Sequence, residues 1–407
     1  MRRALEAIDR LPDRRAVVAM VAVGLLLALP GLLLAGEPNS DGLFYEVQAK
    51  ELQGESHAVA MHDVFDSAQA RRTAEIEDAP SGSYRVLNSA WQRFSARFYE
   101  RRWLVPGLAI LVGAVTGEGV PTALKTVSML GYALIGAALF LLLRRRFRVS
   151  VSLLGALGCM LAPSLYRWSF GQFVDSWGVL LESLGLLALV IVVDRGLRWL
   201  PLWIGAMLAL SVTRDATMIL GLAALWLTVC QLRDRAARRR NVWILASGAA
   251  AAAPALLLGG APLRENLAYI LANYNVPTDM SWGHVLAGYP GQLWATVQGD
   301  ATYPLSHGAA GPLLYGMLAI AIAAIVLVVA RRPRGDAFWL VQRGAILGCI
   351  VLLLIANNPQ GYRLELVFVP TIAAGLAIAF SRLADFVTRA SQPRPAATPP
   401  CESPPAR

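Results

Sequence analysis

Apolar runs of membrane-crossing length recur along this chain, beginning with AVVAMVAVGLLLALPGLLLAG at 16–36. A helix of about 20 apolar residues crosses roughly 30 Å of hydrocarbon. Several runs approach or exceed that length. With 56% hydrophobic residues, 16% charged residues and a mean hydropathy of +0.51, the chain carries more apolar surface than a soluble core uses. The fold class that follows is all-α, a polytopic helical membrane protein. Length then says little about domain number, because the soluble-domain prior does not apply.

The net charge of +10 does not point to nucleic acid. The arginines stand in short runs between apolar segments, RRRFR at 144–148, RDRAARRR at 233–240 and RRPR at 331–334. That is the distribution of cytoplasmic loops. Placing every dense run inside yields about ten transmembrane helices, near 16–35, 121–143, 149–166, 174–193, 198–213, 215–231, 242–260, 311–330, 338–356 and 364–382. The chain divides into a cytoplasmic segment 1–15, a membrane domain 16–384 and a proline-rich, disordered cytoplasmic tail 385–407. The first apolar run exceeds a signal-peptide core and reads as an uncleaved span. Two large exterior loops result, 36–120 and 261–310. Inside the first, WLVPGLAILVGAV at 103–115 is apolar but reaches only about 20 Å, so it reads as an interfacial helix.

This threading puts His57, His62, His284, His307 and most carboxylates on the exterior side. No phosphate-binding G-x-x-x-x-G-K-[ST] loop is present. Cys159, Cys230, Cys349 and Cys401 have neither metal spacing nor a disulfide pattern. His57, His62 and Asp63 fit no strong metal signature, and exposed loop histidines are the plainer reading. Tyr269, Tyr274, Trp282, Tyr289 and Trp294 in the second loop read as interface anchors.

The stretch NSDGLFYEVQAKEL, 39–52, leaves the first span and at once presents an acid. Asn39 or Ser40 is a good N-cap, which places Asp41 in the first turn of a helix. The helix dipole favours a charged acid there. Asp41, Tyr45, Gln48 and Leu52 share one face. The plain alternative is that Asp41 only caps its helix. Asp175 lies at the exterior mouth of the fourth span, and Glu182 is seven residues on, about 10 Å deeper. Ionisable groups in a bilayer face a cavity or a partner, and an ion pair of Asp175 with Lys125, Arg167 or Arg214 is the structural alternative. Arg214 in SVTRDATMIL sits between two short spans, Arg363 opens the last span, and Arg167 lies between the third and fourth. Three arginines at one end of a bundle match a phosphate bidentately, or else snorkel to headgroups. A hard cation such as Mg²⁺ or Mn²⁺ on Asp41 and Asp175 is a better fit than zinc.

Four features together resemble the GT-C superfamily of integral-membrane glycosyltransferases. The first span runs into SDGLFYEVQAKEL, a later interfacial helix follows in RFYERRWLVPGLAILVG, a turn between short spans reads TRDATMIL, and a late arginine precedes a proline-containing span in YRLELVFVP. The resemblance implies a polyprenyl-phosphate sugar donor reached from the membrane lipid, and transfer to a cell-envelope glycan, lipid or protein acceptor on the extracytoplasmic face. It matches Asp41 to the first-loop catalytic acid. It places Asp175 where some members carry a second, metal- or substrate-binding carboxylate. The chain has no acid directly beside Asp41 and no W-W-D-x-G motif.

The implied reaction is an inverting sugar transfer at a bacterial cytoplasmic membrane. Asp41 is its general base and Tyr45 orients Asp41 or the acceptor. Arg214 and Arg363, with Arg167, stabilise the leaving phosphate, and Asp175 and Glu182 bind substrate. Two other readings stand beside it. A transporter or flippase of lipid-linked sugars would use Asp175 and Glu182 along a pathway. A non-catalytic scaffold in surface-polymer assembly could keep the same fold.

Overall fold

The computed structural model describes residues 2–33, 39–78, 85–214, 216–257, 260–302, 311–331, 336–356 and 364–390. Among them all regular structure is helical and no strand occurs. In chain order the α-helices are α1 (Arg2–Asp9), α2 (Asp13–Leu33), α3 (Ser40–Leu52), α4 (His57–Phe65), α5 (Ala68–Glu77), α6 (Ser89–Ala96), α7 (Leu104–Thr116), α8 (Val120–Leu143), α9 (Val149–Met160) and α10 (Pro163–Ser169). They continue with α11 (Asp175–Arg195), α12 (Leu200–Ser211), α13 (Thr217–Cys230), α14 (Arg235–Leu257), α15 (Leu263–Leu271), α16 (Trp282–Thr302), α17 (Gly311–Ala330), α18 (Ala337–Ala356) and α19 (Val369–Ala390).

Six stretches are long and apolar enough to cross a membrane: Asp13–Gly31, Val120–Leu143, Asp175–Arg195, Pro312–Ala330, Ala337–Ile355 and Leu366–Phe386. The other four expected spans take different forms. The third is α9 and α10, bent by 62° at the break before Pro163. The fifth and sixth are short apolar helices, Leu197–Ser211 and Thr217–Cys230. The seventh lies in α14, whose first turns carry Arg235, Arg238, Arg239 and Arg240, so that its apolar part begins only at Val242. The expected interfacial helix is α7, short and apolar as read. Helix α19 continues to Ala390, past the expected end of the bundle at 384.

The bundle core is mainly apolar, with Asp175, Glu182, Gln342 and Thr371 among its buried polar side chains, and small residues set its closest contacts. Gly344 and Gly348 of α18 stand four apart and face α13. A Cβ on either would lie 2.6 Å from the backbone of Ala223 or Ile219. Glycines so spaced let helix backbones approach where lipid supplies no hydrophobic drive.

The arginine run between α8 and α9 ties one end of the bundle together. Arg144 pairs with Asp13 at 2.9 Å, Arg145 with Asp194 at 2.9 Å, Arg146 with Asp336 at 3.0 Å and Arg148 with Asp9 at 3.7 Å. Arg240 of α14 donates to the Val193 carbonyl and to Gln231 at the same end. The starts of α2 and α18 and the ends of α8 and α11 therefore meet there, in the arrangement the charge pattern predicts.

At the opposite end the first loop folds into a helical cap. Each of its first four helices starts at a side-chain cap. Asn39 accepts from Gly42 N at 2.8 Å, Ser56 from Val59 N at 3.4 Å, Ser67 from Ala70 N at 3.1 Å, and Asn88 from Ala90 N at 2.9 Å. Such caps satisfy first-turn N–H groups and fix where the helices begin. The cap has its own core of Leu43, Phe44, Val47, Met61, Val64, Phe65 and Trp91. A second apolar seam, with Tyr45, Val105, Leu124, Val127 and Val174, joins the cap to the bundle. Helix α3 lies between the two and is buried nearly all round.

The second loop docks on this cap. Tyr269 of α15 joins its core, and its hydroxyl accepts from Trp91 Nε1 at 3.0 Å. Arg97 pairs with Glu265 at 2.7 Å. Tyr269 and Tyr274 thus pack inside the cap and are not interface anchors, whereas Trp282 and Trp294 are exposed.

Candidate functional site

Asp41 stands in the first turn of α3, behind the Asn39 cap, as the spacing predicts. The residue that reaches it comes from the segment between α6 and α7. Tyr99 donates its hydroxyl to Asp41 Oδ1. The Tyr99 carbonyl accepts from Gln48 Nε2. Its ring stacks on Phe44, with centroids 4.6 Å apart and planes at 15°. The Arg102 guanidinium covers the ring at 4.9 Å and donates to the Tyr45 hydroxyl at 3.1 Å. Of the predicted face, Asp41, Tyr45 and Gln48 are gathered by Tyr99 and Arg102, whereas Leu52 is exposed. Burial, then the charge of Asp41, hold the Tyr99 phenol well above its ordinary range, so it remains a donor to the carboxylate. Tyr45 is fully buried with its hydroxyl on Arg102. Tyr99, a side chain that contacts Asp41, is one to which the sequence reading assigns no role.

A second carboxylate meets the same helix start. Glu77, at the end of α5, accepts from Ser40 N at 2.9 Å. Burial pushes the Glu77 carboxyl above its ordinary range. The bonds from Ser40 oppose that shift, and the charge of Asp41 adds to it. The chain has no acid adjacent to Asp41, but the fold supplies one from 36 residues further on. Ser67, which caps α5, is a local signal that would have set this helix in place.

Asp175 is 1% exposed and pairs with Arg214 at 2.9 Å. Of the three partners weighed from the sequence, this is Arg214. Gly178, one turn along α11, makes room for it, since a Cβ there would lie 2.9 Å from Arg214 Cδ. Glu182, one turn further, is also 1% exposed, and its Oε1 has no hydrogen-bond partner among the described residues. The charge of Arg214 acts on it as well. Arg214 thus pairs with Asp175, and Glu182 lies two turns further along the same face of α11. Arg167 lies on α10, exposed, with its guanidinium 5.5 Å from the Trp168 ring centre. Arg363 and His307 lie outside the described residues.

Two contacts join the Asp41 cluster to the Asp175 pair. Gln172, three residues before Asp175, packs so closely on Gly42 that a Cβ has no room there. It is held by Gln69 at 3.2 Å and by the Pro121 carbonyl at 3.1 Å. At the start of α7, Leu104 N donates to Val212 O at 3.0 Å, two residues from Arg214. The first turn of α3 and the mouth of α11 are neighbouring parts of one end of the molecule.

Among the described residues no three His, Cys, Asp or Glu side chains group as a metal site. Asp175, one of the two carboxylates expected to take Mg²⁺ or Mn²⁺, is engaged by Arg214. His57 and His62 are exposed and face Glu51 and Asp66 respectively. No protein-family model matches the chain, and no curated protein matches it.

Proposed function

We propose that the chain is a GT-C-like membrane glycosyltransferase of about ten spans. It moves a sugar from a polyprenyl-phosphate donor to an envelope acceptor on the extracytoplasmic face of a bacterial cytoplasmic membrane. The observation that carries this reading is the start of α3, where Asp41 is held by Tyr99 beside Glu77. A carboxylate so placed can take a proton from an acceptor hydroxyl. In that step the acceptor oxygen bonds to the anomeric carbon, the bond from that carbon to the phosphate oxygen breaks, and the proton passes to Asp41. The electron pair stays on the departing polyprenyl phosphate. Arg214, with Arg363 and Arg167, offsets the charge that develops there, which is the form of stabilisation that usually dominates catalysis. Tyr99 orients Asp41, and Asp175 positions Arg214. One broken span, α9 with α10, two short ones, α12 and α13, and the short helix α7 support this reading, since short or broken helices often border membrane sites that admit substrate.

The test is sugar transfer from a labelled polyprenyl-phosphate donor in membranes, with wild type and Asp41→Asn. A loss of about 10²–10⁴-fold is expected for a general base. Equal rates remove Asp41 from the mechanism, and full biological activity of Asp41→Asn favours the scaffold reading.

One observation favours the transporter alternative. Glu182 is a buried carboxylate with one partnerless oxygen inside a span, and such groups often mark proton pathways. Transport driven by a pH gradient and abolished by Glu182→Gln would establish that reading instead.

A further inference from the structure

The cap contains a cavity of about 200 Å³ on the α3 face next to Asp41. Its polar and aromatic wall is Gln48, Glu51, His57, Tyr99, Glu100 and Trp103. Phe44, Val47, Gln48 and Glu51 follow one another at helical spacing, so the cavity continues the face that carries Asp41. Tyr99 belongs to both places, lining the cavity and binding Asp41 through its hydroxyl.

Gln48 is 5% exposed, and its Nε2 is used by the Tyr99 carbonyl. Its Oε1 has no hydrogen-bond partner among the described residues. A buried acceptor left empty carries a desolvation penalty, which a ligand that donates to it recovers. Glu51 and Glu100 add further acceptors, and the Trp103 indole, 39% exposed, offers a free apolar face. The other aromatic faces are taken. Tyr99 is sandwiched between Phe44 and the Arg102 guanidinium.

We propose that this cavity is a saccharide subsite that holds one sugar ring of the acceptor. The inference rests on the sugar-transfer reading and names the substrate class that reading requires. The volume is below the roughly 300–1,000 Å³ of drug-sized sites and suits a single ring. Ring hydroxyls donate to Glu51 and Glu100 and, once a small side-chain shift uncovers it, to Gln48 Oε1, and the ring's C–H face lies on Trp103. A quaternary ammonium head would need an aromatic cage of several open faces, and only Trp103 presents one. The cavity is walled by cap residues, so an acceptor reaches it from the aqueous side while the lipid-borne donor approaches from the bundle.

The test uses the purified full chain in nanodiscs, since maltoside detergents carry competing sugars. Saturation-transfer NMR is read with a panel of methyl pyranosides and a methyl pentofuranoside, beside phosphocholine. At least one glycoside should show transfer, with binding about tenfold weaker, the equivalent of 1.4 kcal/mol, in Trp103→Ala and in Gln48→Leu. Trp103 is exposed, so its variant reports even where Gln48→Leu fails to fold. No glycoside signal, a signal unchanged in Trp103→Ala, or a signal from phosphocholine alone overturns the subsite. Glycoside binding without any sugar transfer in wild type would retain the subsite and remove the proposed reaction. Sugar transfer that is indifferent to Trp103→Ala would do the reverse.

Discussion

At the arginine-rich end of the bundle, Arg144, Arg145, Arg146 and Arg148 each reach an acid on a different helix, and their side chains stay between 21% and 54% exposed. At the cap end, Arg214 and Asp175 pair at 13% and 1% exposure. The geometry of the pairs is similar and their energetics are not. Exposed pairs contribute about 0–1 kcal/mol each. A buried pair loses several kcal/mol of hydration per ion before its attraction counts, so a hydrophobic pair of similar volume is often no less stable. The rim arginines therefore fix which helix ends meet. The Arg214 pair is a poor choice for stability alone, and under the proposed reaction its place next to the Asp41 cluster gives it a chemical use.

The sharpest way to break this comparison is Arg214→Ala. It removes the guanidinium paired with the buried Asp175. Thermal unfolding of the purified chain should show a loss of about 3–5 kcal/mol. A loss below 1 kcal/mol would make this pair no different from the rim.

Glu77→Gln sharpens the comparison within the cap. Burial raises the folded-state pKa of Glu77. The folded chain then binds the proton more tightly than the unfolded chain, so the stabilising contribution is complete below the ordinary carboxylate pKa. It is lost as pH rises through the raised value. Glu77→Gln keeps an acceptor for Ser40 and removes that loss. Its stability relative to wild type should increase from mildly acid to neutral pH, and a constant difference across that range would contradict the assignment. Glu46 is shifted the same way by burial, with Lys50 opposing, and serves as an unchanged background in both proteins.

The smallest effect is expected at the rim. Arg146→Ala should cost no more than about 1 kcal/mol, and less in high salt. A cost near that of Arg214→Ala would show that the arginine run does more than order the helix ends.

Local signals account for what the sequence revealed. The Asn39 cap placed Asp41, the length of 103–115 marked α7 as too short to cross, and the arginine runs ordered the helix ends. Asp175 and Arg214 were singled out separately, and their pairing was one of three alternatives. Ser56, Ser67 and Asn88 are caps of the same kind as Asn39, and reading them would have found α4 to α6. What stayed hidden depends on tertiary contact. Glu77 meets Ser40 and Asp41 only because α5 folds back against α3, and Tyr99 meets Asp41 only because the segment before α7 crosses that face. Tyr269 looked like an interface anchor because an aromatic side chain carries no mark of whether lipid or a protein core covers it.

The central claim is that Asp41 and Tyr99 act as one unit in sugar transfer, and a double-mutant cycle on the transfer rate tests it most directly. Tyr99→Phe removes a hydrogen bond to a charged group, worth about 1.5–3 kcal/mol, and should slow the wild-type chain by about 10- to 100-fold. In an Asp41→Asn background the same change should have almost no further effect. Independent, multiplicative losses from the two substitutions, or an Asp41→Asn chain that transfers sugar at the wild-type rate, would contradict the account.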